Sequence, residues 1–219
     1  MADRPQNTSS AMTVTKIEAL TKAKLKVELD GEFAFVLYKK ELSRFGIRED
    51  EELPEETYQQ IRKDVILKRA KLRAMHLLTD MARTESGLRE KLRQGLYPED
   101  IVEEALAYVR SFGYLNDLRY AENFIESRRD RKSKKEIYAL LCNKGVPQEQ
   151  IEEAFASCYP EEGEGDAIRR IIEKKRVDFS HASWEEVRKL YGYLSRKGFR
   201  YEDINREIQN LYQKSDENA

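Results

Sequence analysis

A chain of 219 residues with 40 Lys and Arg against 41 Asp and Glu has a net charge of -1, so charge is abundant but unbiased. Overall charge therefore names no polyanionic partner, and local runs carry the information instead. Two Cys make no disulfide framework, no apolar run approaches membrane-spanning length and the polar start is no signal peptide, so a soluble, cytoplasmic chain with no membrane partner is expected.

Residues 1–12 are polar, carry Pro5, and are expected to be disordered. From Thr13 the apolar residues alternate: Val14, Ile17 and Ala19, then Leu25, Val27 and Leu29, then Phe33, Phe35 and Leu37. A period of two predicts strands, and Asp30-Gly31 between the second and third runs predicts a hairpin turn. A small antiparallel sheet of two or three strands follows, too small to stand without a helix to lean on. Lys39 to Phe45 reads as one helical turn ending at Gly46, and Arg48 to Glu56 holds six acidic residues. The β-rich region and its linker span residues 13–60. From Glu55 to about Arg83 the chain reads as helix, open to interruption, with Arg62, Lys63, Lys68, Arg69, Lys71 and Arg73 on its exposed side. That face suits either plain solvation or contact with nucleic acid or an acidic protein.

The rest of the chain repeats itself. Leu88, Leu92, Tyr97, Val102 and Leu106 are spaced by 4, 5, 5 and 4 residues. Ile137, Leu141, Val146, Ile151 and Phe155 keep those spacings, and so do Leu190, Leu194, Phe199, Ile204 and Ile208. A step of 4 keeps two apolar groups on one helical face, whereas steps of 5 slip out of the helical period and mark a turn. Gly145 and Gly198 stand where the second and third turns need a left-handed residue. Leu96 stands there in the first copy, with Gly95 one residue earlier, so that turn is expected to close differently. Thr84 and Ser133 are placed as N-caps, and Ser133 with Glu136 and Ser183 with Glu186 fit capping boxes. Pro98 and Pro147 follow the turns, where a missing N–H is tolerated. Each unit is preceded by a further amphipathic stretch: Leu67, Ala70, Ala74, Leu77, Leu78 and Met81; Tyr120, Ala121, Phe124 and Ile125; Ala167, Ile168, Ile171 and Ile172.

The expected fold class is therefore mainly α: tandem three-helix repeats in three copies, elongated, behind a small N-terminal antiparallel β-sheet. The copies take residues 61–112, 113–160 and 161–219, the last including a polar tail after Tyr212. Pro160 to Asp166, acidic and with two Gly, is the expected hinge.

Candidate binding residues come from charge density. Arg128, Arg129, Arg131, Lys132, Lys134 and Lys135 put six cations into eight residues at the expected end of a helix. The helix dipole favours some cations there, but not so many. Lys68, Arg69, Lys71 and Arg73 form a second, looser group. A face that merely promotes solubility is the competing reading of both. No phosphate-cradling loop, Ser-His or Cys-His constellation or carboxylate cluster marks an enzyme. Cys158 falls at the repeat position of Val109 and Leu211 and reads as a buried apolar residue, and Cys142 reads as a free thiol. Together with His76 and His181 they match no zinc spacing, so neither a metal nor any other cofactor is expected.

Gly113, Tyr114, Leu115, Asn116 and Asp117, followed by Arg119, Tyr120, Ala121, Phe124, Ile125 and Arg128, resemble the central signature of the bacterial RecX regulators. The triplicated helix pattern is similar to that family's tandem repeats, and Thr13–Tyr38 resembles an extra N-terminal part present in some members. The resemblance runs from about Thr13 to Tyr212. It implies a non-enzymatic regulator of the recombinase RecA, usually an inhibitor, lying in the groove of the RecA–DNA filament. The implied partners are RecA and its filament, with single- or double-stranded DNA as a further one; the gap-free repeat itself predicts an elongated monomer. Two other classes stay open: a helix-turn-helix-type protein acting directly on DNA, and a helical scaffold for an unrelated protein.

Overall fold

A computed structural model describes residues 11–159 and 164–217. The alternating runs form β1 (Met12–Ala19), β2 (Lys24–Leu29) and β3 (Glu32–Tyr38), all antiparallel. Asp30 and Gly31 both have positive φ, 51° and 86°, as a tight hairpin of this hand requires. The sheet has one strand more than expected, because Glu52–Leu53 (β4) pairs with Met12 and Thr13 to give the order β3-β2-β1-β4. Met12 is thus part of the sheet rather than of a disordered terminus; residues 1–10 of that expected terminus lie outside the described residues. In β3, Val27 faces Phe35 and Glu28 faces Phe33, so Ala34 is a bulge and the two Phe do not share a face. Phe33 is 39% exposed under the Lys26 ammonium, while Ala34, Phe35, Val36 and Leu37 are all buried.

The sheet does lean on helix. Lys39–Arg44 (α1) ends at Phe45 before Gly46, whose φ is 65°. Glu55–Ile61 (α2) continues through a π-helical turn, Arg62–Leu67, into Lys68–Asp80 (α3). The wider turn brings Ile61 and Ile66, five apart, to one side, where an α-helix would use four. Ala70, Ala74 and Leu77 continue this buried line, but Met81, expected in it, is exposed because the helix has ended. Val14, Val27, Phe35 and Leu37 pack in one core with Ile61, Ile66 and the first repeat's Leu88, Leu92, Val102 and Leu106.

The repeats are helix pairs: Glu85–Gln94 (α4) and Glu99–Ser111 (α5); Lys134–Asn143 (α7) and Gln148–Cys158 (α8); Trp184–Arg196 (α10) and Tyr201–Glu217 (α11). Asp117–Glu126 (α6) and Gly165–Lys175 (α9) precede the second and third pairs, as α3 precedes the first. Every apolar repeat position is buried except Tyr97, which is partly so. The second and third copies have their own clusters, around Ile137, Leu141 and Ile151 and around Leu194, Ile204 and Ile208. The polar tail after Tyr212 is helical to Glu217.

The three turns close alike, which corrects the expectation for the first. Leu96 takes φ 58° itself, beside 74° at Gly145 and 91° at Gly198. In each, the following N–H reaches back five residues, from Tyr97 to Leu92, Val146 to Leu141 and Phe199 to Leu194. Pro98 and Pro147 are N-caps rather than first helical residues, their carbonyls accepting from Val102 and Ile151.

The chain divides into two compact units, one up to Leu115 and one from Asn116. The sheet and first repeat belong to the former, the second and third repeats to the latter. Of the expected hinge, residues 160–163 lie outside the described residues. Glu164 is buried and Gly165 begins α9, so its C-terminal end is anchored.

Candidate functional site

The basic run does not end a helix. α6 stops at Glu126 with Ser127 as its C-cap, and residues 127–133 form turns before Ser133 caps α7. Arg128 lies 3.7 Å over the Phe124 ring and donates to Ser127 Oγ at 2.7 Å. Arg129 is partly buried and donates to the Cys158 carbonyl at 2.6 Å, which joins the turn to the end of α8. Arg131 donates to the Ser127 carbonyl at 3.2 Å, and Lys132 pairs with Glu136. Because that carboxylate turns to Lys132, the expected Ser133–Glu136 box is only half made: Ser133 Oγ accepts from Glu136 N at 3.1 Å. Thr84 caps α4, and the Ser183–Glu186 box is complete. Lys134 and Lys135 sit in the first turn of α7, the positive end of its dipole. Helix electrostatics therefore oppose these two cations, by about 0.3–1 kcal/mol each.

Ser133 also locks the second repeat to the third. Its hydroxyl, 0% exposed, donates to the Lys197 carbonyl at 2.7 Å while capping α7. Gly198 fits against it: a Cβ there would lie 2.9 Å from Ser133 Oγ and 3.3 Å from Lys135 Cβ. Arg170 on α9 pairs with Asp130 at 2.7 Å, and Glu164 accepts from the Lys134 backbone N–H. This joint brings Arg196, Lys197 and Arg200 alongside the run that begins at Arg128. Lys135 and Gly198 line a hollow with Arg196 and Lys197, and a second hollow is lined by Arg128, Arg131 and Lys132. Among the described residues, only Lys132 and Arg200 of this group have a carboxylate at ion-pair distance. Sequence reasoning missed Arg196, Lys197 and Arg200 because it collected cations along the chain. The available signal was positional: Lys197 before Gly198 repeats Lys144 before Gly145.

Between the two repeats opens a cleft of about 880 Å³, lined by Lys134, Lys135, Tyr138, Glu152, Phe155, Tyr159, Glu164, Gly198 and Arg200. Tyr138 stacks on Phe155 with centroids 6.3 Å apart, and Tyr159 meets Phe155 edge-on at 5.3 Å. The Lys134 ammonium stands 5.2 Å from the Phe155 ring and 5.6 Å from the Tyr159 ring. Burial raises the Glu164 carboxyl above its ordinary range, with Asp203 adding to the effect and the Lys134 N–H opposing it. Burial likewise pushes the Tyr159 phenol up, reinforced by Glu164.

The looser group, in the other unit, divides by environment. Arg69 is held by both Glu41 oxygens at 2.6 Å, by the Val36 carbonyl at 3.0 Å and over the Tyr38 ring at 4.7 Å. It ties α3 to α1 and β3, so it is not on an open face; Arg62, against Tyr58 and Asp100, is partly buried too. Lys68 pairs with Asp64, Lys71 stands 4.8 Å from the Tyr108 ring, and Arg73 is exposed.

The signature residues straddle the boundary between the units. Gly113, φ 71°, ends α5, Tyr114 is exposed and stacks on Phe112 at 5.9 Å, and Leu115 is buried in the first core. Asn116 caps α6 by accepting from Arg119 N at 2.9 Å, with Asp117 in the first helical turn. Tyr120, Ala121 and Phe124 pack in the second repeat's core. Cys158 is only partly buried, its Sγ 2.9 Å from the Ala154 carbonyl, and Cys142 is exposed. Among the described residues no His, Cys, Asp and Glu group could hold a metal, and no helix is long and apolar enough to cross a membrane.

This arrangement has known counterparts. Family models for the first, second and third three-helix domains of RecX match residues 70–108, 116–154 and 162–208. The regulatory protein RecX of Caldanaerobacter subterraneus subsp. tengcongensis is 34% identical over 199 residues, 90% of this chain and 98% of the relative.

The chain belongs to the RecX family.

The regulatory protein RecX of Clostridium acetobutylicum is 27% identical over 207 residues, 91% of this chain and 96% of its own. The crystal structure of RecX from Lactobacillus salivarius, 27% identical, superposes with a TM-score of 0.59 over 66% of this chain and 96% of that one. A second crystal structure of a regulatory protein RecX, 23% identical, gives the same TM-score over 90% of this chain and 99% of that one, a likeness of fold. The fold class expected from the sequence, three tandem three-helix domains behind a small antiparallel sheet, is the one observed.

Proposed function

We propose that this RecX-family chain is a cytoplasmic, monomeric regulator that binds RecA on its DNA filament, lies in the filament groove and inhibits recombinase activity. It performs no chemistry of its own. The observation that carries this reading is the surface at Arg128, Arg131, Lys134, Lys135, Arg196 and Lys197, cations without a carboxylate partner among the described residues, on a chain built as the RecX array. Such a surface meets phosphates or protein carboxylates with charge-assisted bonds. Lys68, Lys71 and Arg73 add a smaller contact, while Arg69 serves its own unit. The domain limits follow the repeats: residues 13–60, 61–112, 113–160 and 161–219.

The test is the ATPase rate of RecA filaments on single-stranded DNA with and without this protein. The wild-type chain is expected to slow it. A triple variant, Arg131→Ala, Lys135→Ala and Arg196→Ala, is expected to inhibit several-fold less with unchanged helix content, and the difference is expected to shrink as salt rises. An ATPase rate indifferent to the wild-type protein at low salt sinks the proposal. Direct action on DNA is the second reading, favoured by aromatic rings set among these cations; strong, salt-sensitive DNA binding without RecA, combined with no effect on RecA, would install it instead.

A further inference from the structure

We infer that the cleft between the second and third repeats is a nucleobase pocket, which takes one unstacked base of a single-stranded nucleic acid while its neighbouring phosphates rest on the basic rim. The inference rests on the proposed function, in that it specifies how the chain grips the DNA in the filament.

Three features of the cleft point there. Tyr138 and Tyr159, both partly exposed, flank the buried Phe155 in its walls, and exposed ring faces accept any base by stacking. Lys134, Lys135 and Arg200 line the cleft, and Lys135 also lines the hollow of Arg196 and Lys197, so the cations of the cleft run on into that hollow. The wall itself carries the Glu152 and Glu164 carboxylates. The exposed Glu152 carboxylate repels a phosphate or an acidic side chain but accepts hydrogen bonds from base N–H groups, while the buried Glu164 already accepts from the Lys134 N–H and the Tyr159 hydroxyl. Cations and carboxylate acceptors line the same cleft, with the Lys134 ammonium against the Phe155 and Tyr159 rings, and this mixture fits a nucleotide, which brings a phosphate and a base together. It fits an acidic peptide poorly, because the peptide's carboxylates would meet Glu152 and Glu164. The volume, about 880 Å³, falls in the usual range for a small-molecule pocket. A base paired in a duplex has both faces stacked and its edge occupied, so only a single strand can supply one without unpairing.

Fluorescence anisotropy of labelled oligo-dT and of an abasic oligomer of the same length, with the free protein and no RecA, tests the inference. The wild-type chain is expected to bind oligo-dT about tenfold more tightly than the abasic strand. Tyr138→Leu is expected to abolish that ratio and to leave the salt dependence of oligo-dT binding unchanged. Lys135→Ala with Arg196→Ala is expected to reduce the slope of log K against log salt by about one to two and to keep the ratio. Equal wild-type affinity for the two strands overturns the inference, and this comparison needs no variant to fold. It is overturned equally if neither strand binds, if duplex DNA competes as well as oligo-dT, or if Tyr138→Leu keeps the preference. Preference for oligo-dT together with an unaffected RecA ATPase leaves the pocket standing and removes the proposed function. Inhibition of RecA without any base preference does the reverse.

Discussion

Leu96 holds a backbone conformation that side chains with a Cβ resist, at φ 58°, and it is 42% exposed, so little packing holds it there. The left-handed region costs such a residue roughly 1–2 kcal/mol, part of which a glycine returns through the greater freedom of its unfolded chain. Leu96→Gly is therefore expected to stabilise the first unit by about 0.5–1 kcal/mol in urea unfolding, with an unchanged m-value. Glu164 gives a pH effect of the opposite sense to a paired carboxylate. Its folded pKa is raised above the ordinary 4.5, so the folded state holds the proton more tightly, and the stability this lends is complete below 4.5 and lost as pH climbs through the raised value. Glu164→Gln keeps an acceptor for the Lys134 N–H, and it is expected to flatten that decline when thermal midpoints are followed upward from pH 4.5. The repeat's apolar residues were legible one by one, because spacing alone fixes a face. The role of Glu164 was not, since nothing along the chain announces that it meets the start of α7.

At the scale of elements, Leu141 is fully buried in α7, and Leu141→Ala is expected to cost about 2–5 kcal/mol by chemical denaturation. Arg69 makes the complementary case for a charged residue. Its bonds to Glu41 and Val36 hold α3 to the sheet, so Arg69→Ala is expected to cost the first unit about 1–3 kcal/mol and to raise hydrogen exchange in β3 and α1. The exposed Arg73→Ala is expected to leave both unchanged. β1 to β3 were legible from alternation, but Ala34 broke the count in β3, and the pairing of Glu52 and Leu53 with Met12 and Thr13 lay hidden in an acidic run. Two residues are too short to show a period, and a bulge resets one. The helical stretch after Pro54 was legible as helix open to interruption, whereas the place of its π-helical turn was not.

At the scale of the molecule, the repeat unit visible in the sequence is not the unit of compaction. The first copy shares its core with the sheet, and the second and third are joined through Ser133, Asp130 and Glu164. Those contacts join residues 30 to 64 positions apart, which local pattern reading does not reach. The same distance hid a third of the basic surface. Ser133→Ala removes both a cap and a buried bond to Lys197, and is expected to cost the second unit about 1–3 kcal/mol with loss of exchange protection in α7 and at the end of α10 together. The joint has an evolutionary consequence. Gly198 leaves no room for a methyl group beside the Ser133 hydroxyl, and its φ of 91° excludes most replacements. Gly198 cannot take a side chain while Ser133 stands beside it, so descendants of this gene that keep the serine should keep the glycine as well.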